Sequence, residues 1–153
     1  MLIKPVRSGL AASALIALSM LACARAPSRP ATTYEDVMAY NAALAEANLA
    51  LAKAVITTQE EGLLTKEQAE SVLNAQYLIA KQHKELTALL QLGPEGAKRN
   101  EAAIRAFLDS IQAALDRQIQ SGILPPKLGP VVEIIKLITQ ALLRDLRLVG
   151  VID

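Results

Sequence analysis

The chain has 153 residues, a formal charge of +1 and 52% hydrophobic residues, which gives one domain of ordinary size and excludes a disordered polymer. Aromatics make up 3%, with no Trp, one Phe and three Tyr, so the core is built from Leu, Ile, Val and Ala, a composition of packed helices rather than of sheet. The single Cys excludes an internal disulfide, one His with one Cys is too few for a zinc or iron–sulfur site, and the missing basic excess argues against nucleic acid as a partner.

Residues 1–22 read as a secretory signal peptide. Lys4 and Arg7 form a short positive region, and Gly9 to Ala22 is an uncharged apolar run, too short for a comfortable membrane span. Removing this leader takes two positive charges from the chain and leaves a formal charge of about −1. The stretch SMLAC, Ser19 to Cys23, resembles the lipobox of bacterial lipoproteins. That resemblance implies a diacylglyceryl group on the Cys23 sulfur, cleavage just before it, and a mature chain beginning there. Ala22 matches the small residue the family places before the cysteine, while Met20 stands where Leu is commonest. Ala24 after the cysteine implies an outer-membrane location facing the periplasm, in an organism that has one. Membrane lipid, through Cys23, is then the first expected partner. Ordinary cleavage after Ala24, since ACA fits the small-x-small rule, is the competing reading and leaves a soluble exported chain.

Residues 23–33 hold the lipid-attachment site and a tether. ARAPSRPATT has two Pro and two Arg and no helical period, and it reaches about 30 Å when extended. The domain proper is expected over 34–153.

The first helix begins at Tyr34, capped by Thr32 or Thr33, with Glu35 and Asp36 where the helix dipole favours acids. Val37, Tyr40, Leu44, Ala47, Leu51, Ala54 and Val55 form its stripe, and Gly62 stops it. A second helix opens on the capping box of Thr65 and Gln68 and closes at Gly93–Pro94. Ala69, Val72, Leu73, Ile79, Ala80, Leu86 and Leu90 make its face. The third starts near Pro94 or at Asn100, carries Ala103, Ile104, Phe107, Leu108, Ile111, Ala114, Leu115 and Ile119, and ends at Gly122. The fourth runs from Gly129–Pro130 to about Val149. Val131, Ile134, Ile135, Ile138, Ala141 and Leu142 form its inner side, widened by Val132, Leu143 and Leu146, with Glu133, Lys136, Arg144 and Arg147 opposite. EEGLLTK at Glu60 and QSGILPP at Gln120 echo each other, and apolar positions correspond at that offset, Leu44 with Ile104 and Leu51 with Ile111 among them. The predicted fold is all-α, an antiparallel four-helix bundle made of two helical hairpins.

His83 falls in the second helix's apolar face between Ile79 and Leu86, with Gln76 one heptad earlier. Either the pair lines a small-ligand site, or His83 sits at the stripe's edge bonded to a backbone carbonyl or a Gln. No metal is expected: Ala80 precedes His83 by three residues, where a bundle di-metal site needs Glu. No cofactor is expected, and no enzyme: Ser71, Ser110 and Ser121 lack a nucleophile turn, Glu60–Glu61 reads as solvated charge, and no phosphate-binding glycine loop is present. The sequence therefore predicts an exported, lipid-anchored envelope protein acting as a helical interaction module, binding another protein or its own copies. A helical carrier with a pocket near His83 is the alternative. A pocket of several hundred Å³ lined by apolar groups and His83 favours the carrier; an exposed apolar strip on the fourth helix favours the interaction module.

Overall fold

The computed structural model describes residues 32–153. The expected leader 1–22, the expected lipidation site Cys23 and all but the last two residues of the expected tether 23–33 lie outside them.

The described residues are helical, without a strand among them. The order is α1 (Tyr34–Glu60), α2 (Lys66–Leu90), a short α3 (Gly93–Arg99), α4 (Glu101–Gln120), a 3₁₀ turn (Pro126–Leu128) and α5 (Gly129–Leu148). Thr33 caps α1: its Oγ1 accepts from the Asp36 N–H at 3.3 Å, and Asp36 Oδ2 accepts from the Thr33 N–H at 2.9 Å. Thr65 and Gln68 build the same reciprocal pair at the start of α2, at 3.2 and 2.9 Å. Each box satisfies backbone donors that have no partner within the helix.

Gly62 ends α1 in the left-handed region at φ 75°, which glycine adopts without steric cost. The Gly62 and Leu63 N–H groups then return to the carbonyls of Gln59 and Thr58, and Leu64 turns into the core. The two starts expected for the third helix are both used: α3 begins at Gly93, and the helix breaks at Asn100 before α4 resumes. After α5 the chain turns at Gly150, and Val151 and Ile152 fold back into the interior.

The four long helices touch in a closed circuit. α1 packs on α2 and α5, and α4 packs on the same two. Leu44, Leu51, Ile79, Leu86, Ile104, Ile111, Leu115, Ile135 and Leu142 fill the space between them and are fully buried. Each such side chain contributes about 1.5–3 kcal/mol relative to exposure. The core is aliphatic, as the composition requires.

Burial follows the 60-residue correspondence at most matched positions. Leu44 and Ile104, Leu51 and Ile111, Val55 and Leu115, and Val72 and Val132 are all core residues, and Gly122 ends α4 with φ 66° as Gly62 ends α1. Leu78 departs from the pattern, being exposed where Ile138 is half-buried. Ala80 and Ala103, placed in the apolar stripes by spacing, are also exposed. A small side chain contributes little burial, so its place on the wheel follows its larger neighbours. In α5 the buried row runs through Ile135, Thr139, Leu142 and Leu146, which leaves Ile134 and Ile138 at its edge. Lys136 of α5 pairs with Asp116 of α4 at 2.8 Å, and Lys127 pairs with Glu61 across the two loops.

Candidate functional site

Small side chains shape an open groove between α1 and α2. On α1, Ala45, Leu49 and Ala52 follow helical spacing along one face; on α2, Leu73, Tyr77 and Ala80 face them. The two alanines of α1 leave room that larger residues would fill, and the space measures about 310 Å³. Leu44, Asn48, Gln76 and Ile79 form its buried side, and His83 lines it as well. Both residues expected at a ligand site, His83 and Gln76, are therefore in one groove. No charged side chain lines it.

The bonds across the two helices pair early residues of α1 with late residues of α2. The Tyr34 hydroxyl donates to the Leu90 carbonyl at 2.6 Å. Nε2 of His83 lies 2.8 Å from the Asn41 carbonyl oxygen. Asn48 Nδ2 donates to the Gln76 carbonyl at 3.2 Å. Asn41 Nδ2 donates to Thr87 Oγ1 at 2.9 Å, and that hydroxyl donates to the His83 carbonyl at 2.8 Å.

His83 is half-buried and bonded to a backbone carbonyl, as the second of the two readings of this residue expects. A carbonyl only accepts, so Nε2 carries the proton and Nδ1 of the neutral ring is an acceptor. Burial lowers the His83 pKa from its ordinary value, opposed in part by the bond to Asn41, and this favours the neutral ring.

Gln76 is 2% exposed and belongs to a relay between α2 and α4. Its Nε2 donates to Gln118 Oε1 of α4 at 2.9 Å, and Gln118 Nε2 reaches the Val72 carbonyl at 3.5 Å. The Gln118 contact with the Val72 carbonyl orients the pair, since a flip of one amide alone sets like atoms face to face and a joint flip sets the Gln118 oxygen against that carbonyl. It also leaves Oε1 of Gln76 buried with no hydrogen-bond partner, and Oδ1 of Asn48 is in the same condition. Buried polar atoms are almost always paired, and an unpaired one costs about 1–3 kcal/mol. Here two lie on adjacent residues of one groove.

Asn41, Asn48, Thr58, Gln118, Thr139 and Asp145 are interior residues that the apolar stripes did not include. The signal was present for the first three. Val37, Asn41, Leu44, Asn48, Leu51, Val55 and Thr58 are separated by alternating steps of four and three, a heptad seam in which polar residues take core positions. Asp145 is buried beside its exposed neighbour Arg144, 2.9 Å away, and Arg144 also bonds Tyr40 of α1.

Among the described residues, no helix is long and apolar enough to cross a membrane, and no group of three His, Cys, Asp or Glu is arranged to hold a metal ion. No protein-family model, curated protein or solved structure matches the chain.

Proposed function

We propose that this chain is an exported envelope protein, anchored by lipid on Cys23, whose helical domain is a non-enzymatic module that binds a small molecule between α1 and α2. The observation that carries the binding reading is the uncharged groove of about 310 Å³ that holds both His83 and Gln76. It is at the small end of the range for ligand pockets. The domain architecture we propose is an antiparallel four-helix bundle, in which α1 with α2 and α4 with α5 are the two hairpins. The closed circuit of helix contacts and the early-to-late bonding of α1 with α2 support it. The anchor rests on the lipobox resemblance and on Cys23 being the chain's only cysteine. Two acyl chains on that residue hold a protein firmly where one holds it only marginally.

A macromolecular partner, or self-association, is the second reading. It is favoured by Leu49 and Tyr77, exposed apolar residues that line the groove. The fourth long helix does not add to it: its exposed Leu137 and Leu148 are separated by exposed Gln140 and Arg144.

The test is extraction of the protein purified from the envelope, followed by mass spectrometry, with wild type beside Ala45→Trp. The proposal expects a small molecule recovered with wild type and lost with the filled groove; equal recovery overturns it. In the same preparations, Cys23→Ala is expected to leave the membrane fraction and to lack the acyl mass on the mature N-terminus. Retention in the membrane overturns the lipid anchor.

A further inference from the structure

The wholly unpaired polar atoms of the α1–α2 groove are of one kind. Asn48 Nδ2 is committed to the Gln76 carbonyl, Gln76 Nε2 to Gln118, and His83 Nε2 to the Asn41 carbonyl. The atoms on these three residues that carry no hydrogen bond at all are Asn48 Oδ1, Gln76 Oε1 and, on the neutral ring, His83 Nδ1, all acceptors, whereas each amide nitrogen already makes one of the two bonds it can donate. The two amide oxygens are buried and unpaired, and their residues are 7% and 2% exposed. No Lys, Arg, Asp or Glu lines the groove to balance a ligand charge, and burying an unpaired charge is costly.

We propose that the groove takes a small neutral molecule with an apolar body and at least one N–H or O–H donor, and that the donor pairs with the side-chain oxygens of Asn48 and Gln76. This rests on the groove-binding reading above and adds the chemical class of the ligand. A molecule that only accepts hydrogen bonds gains the apolar contacts but leaves both oxygens unpaired. Both oxygens are covered from solvent, so pairing with a ligand requires the Asn48 and Gln76 side chains or their neighbours to shift. Bound water is the rival partner for the same oxygens, and it would occupy them without conferring a preference among organic ligands.

Phenol, anisole and benzoate separate these possibilities, because they share a ring and differ in donor and charge. The full chain, ¹⁵N-labelled and in detergent, is titrated with each, with detergent partitioning measured so that free concentrations match. The expected result is saturable shifts of the Asn48 and Gln76 side-chain amide signals with phenol, about tenfold weaker binding of anisole, and weaker binding still of benzoate. Asn48→Leu is expected to narrow the phenol–anisole difference. Ala45→Trp, a substitution at an exposed lip position, is expected to abolish the shifts without changing helix content, which guards against an Asn48 variant that fails to fold. Equal affinity for phenol and anisole overturns the donor requirement and leaves the groove as a site. No saturable shift with any of the three overturns the groove-binding reading itself.

Discussion

Nε2 of His83 on α2 stands 2.8 Å from the backbone oxygen of Asn41 on α1, which makes the chain's only histidine a fixed donor between two helices. Its neighbour in the seam, Gln76, ties α2 to α4 in the same way. One polar residue in each of two successive heptads of α2 thus sets how that helix sits against a different partner.

The histidine makes stability depend on pH. Burial holds the folded-state pKa of His83 below its ordinary value of 6.5. The unfolded chain therefore binds a proton that the folded chain resists. The contribution to stability is complete above pH 6.5 and is lost as pH falls through the lower folded value. Urea denaturation at a series of pH values is expected to show stability declining as pH falls from 6.5. His83→Gln, which keeps a side-chain donor for the Asn41 carbonyl, is expected to flatten the part of the decline that precedes carboxylate protonation. An unchanged slope in that variant would show that the histidine is not linked to folding.

The glutamine relay is expected to behave as a unit. Gln76→Leu leaves the Gln118 oxygen without its donor, and Gln118→Leu leaves the Gln76 amide without its acceptor. Each single change should cost about 1–3 kcal/mol, the penalty of a stranded buried polar group. The double variant should cost less than the sum, because it removes both ends of the bond. A double-mutant cycle by denaturant unfolding measures this, and strict additivity would mean that the two amides are uncoupled.

Two leucines on different helices calibrate the packing. Leu51 is fully buried on α1, whereas Leu137 on α5 is 62% exposed. Leu51→Ala is expected to destabilise the fold by about 2–5 kcal/mol through lost contacts and a residual cavity. Leu137→Ala should fall within about 0.5 kcal/mol of wild type. Thermal unfolding followed by circular dichroism reads both, and similar costs would contradict the observed orientation of α5.

Helix positions and ends were legible in the sequence because local chemistry sets them. Thr65 with Gln68, Gly62, and Gly129–Pro130 act within a few residues of themselves, and the helices begin and end where those residues indicate. The large aliphatic residues also announced the buried faces. Polar seam residues did not. Asn41 and Asn48 read as surface residues by type, and only their step with Val37, Leu44 and Leu51 marks them as interior. Asp145 carried no such signal. Its burial depends on how α5 meets the rest of the domain, and Arg144 supplies its charge partner. The candidate site was half legible. His83 and Gln76 lie on one apolar face by spacing, but the groove also needs Ala45 and Ala52 on another helix.

The sequence by itself determined an all-helical fold for residues 34–153, the ends of the long helices and an aliphatic core, since each follows from propensity, capping and 3.6-residue spacing within a single segment. It also placed the one cysteine in the SMLAC motif, ahead of the helical domain. Only the tertiary structure decided which helices are neighbours, which amide donors are spent across them, and that Asn48 and Gln76 are left with unpaired oxygens beside a groove. Those facts depend on the distance between segments far apart in the chain, and spacing within one helix carries no information about it.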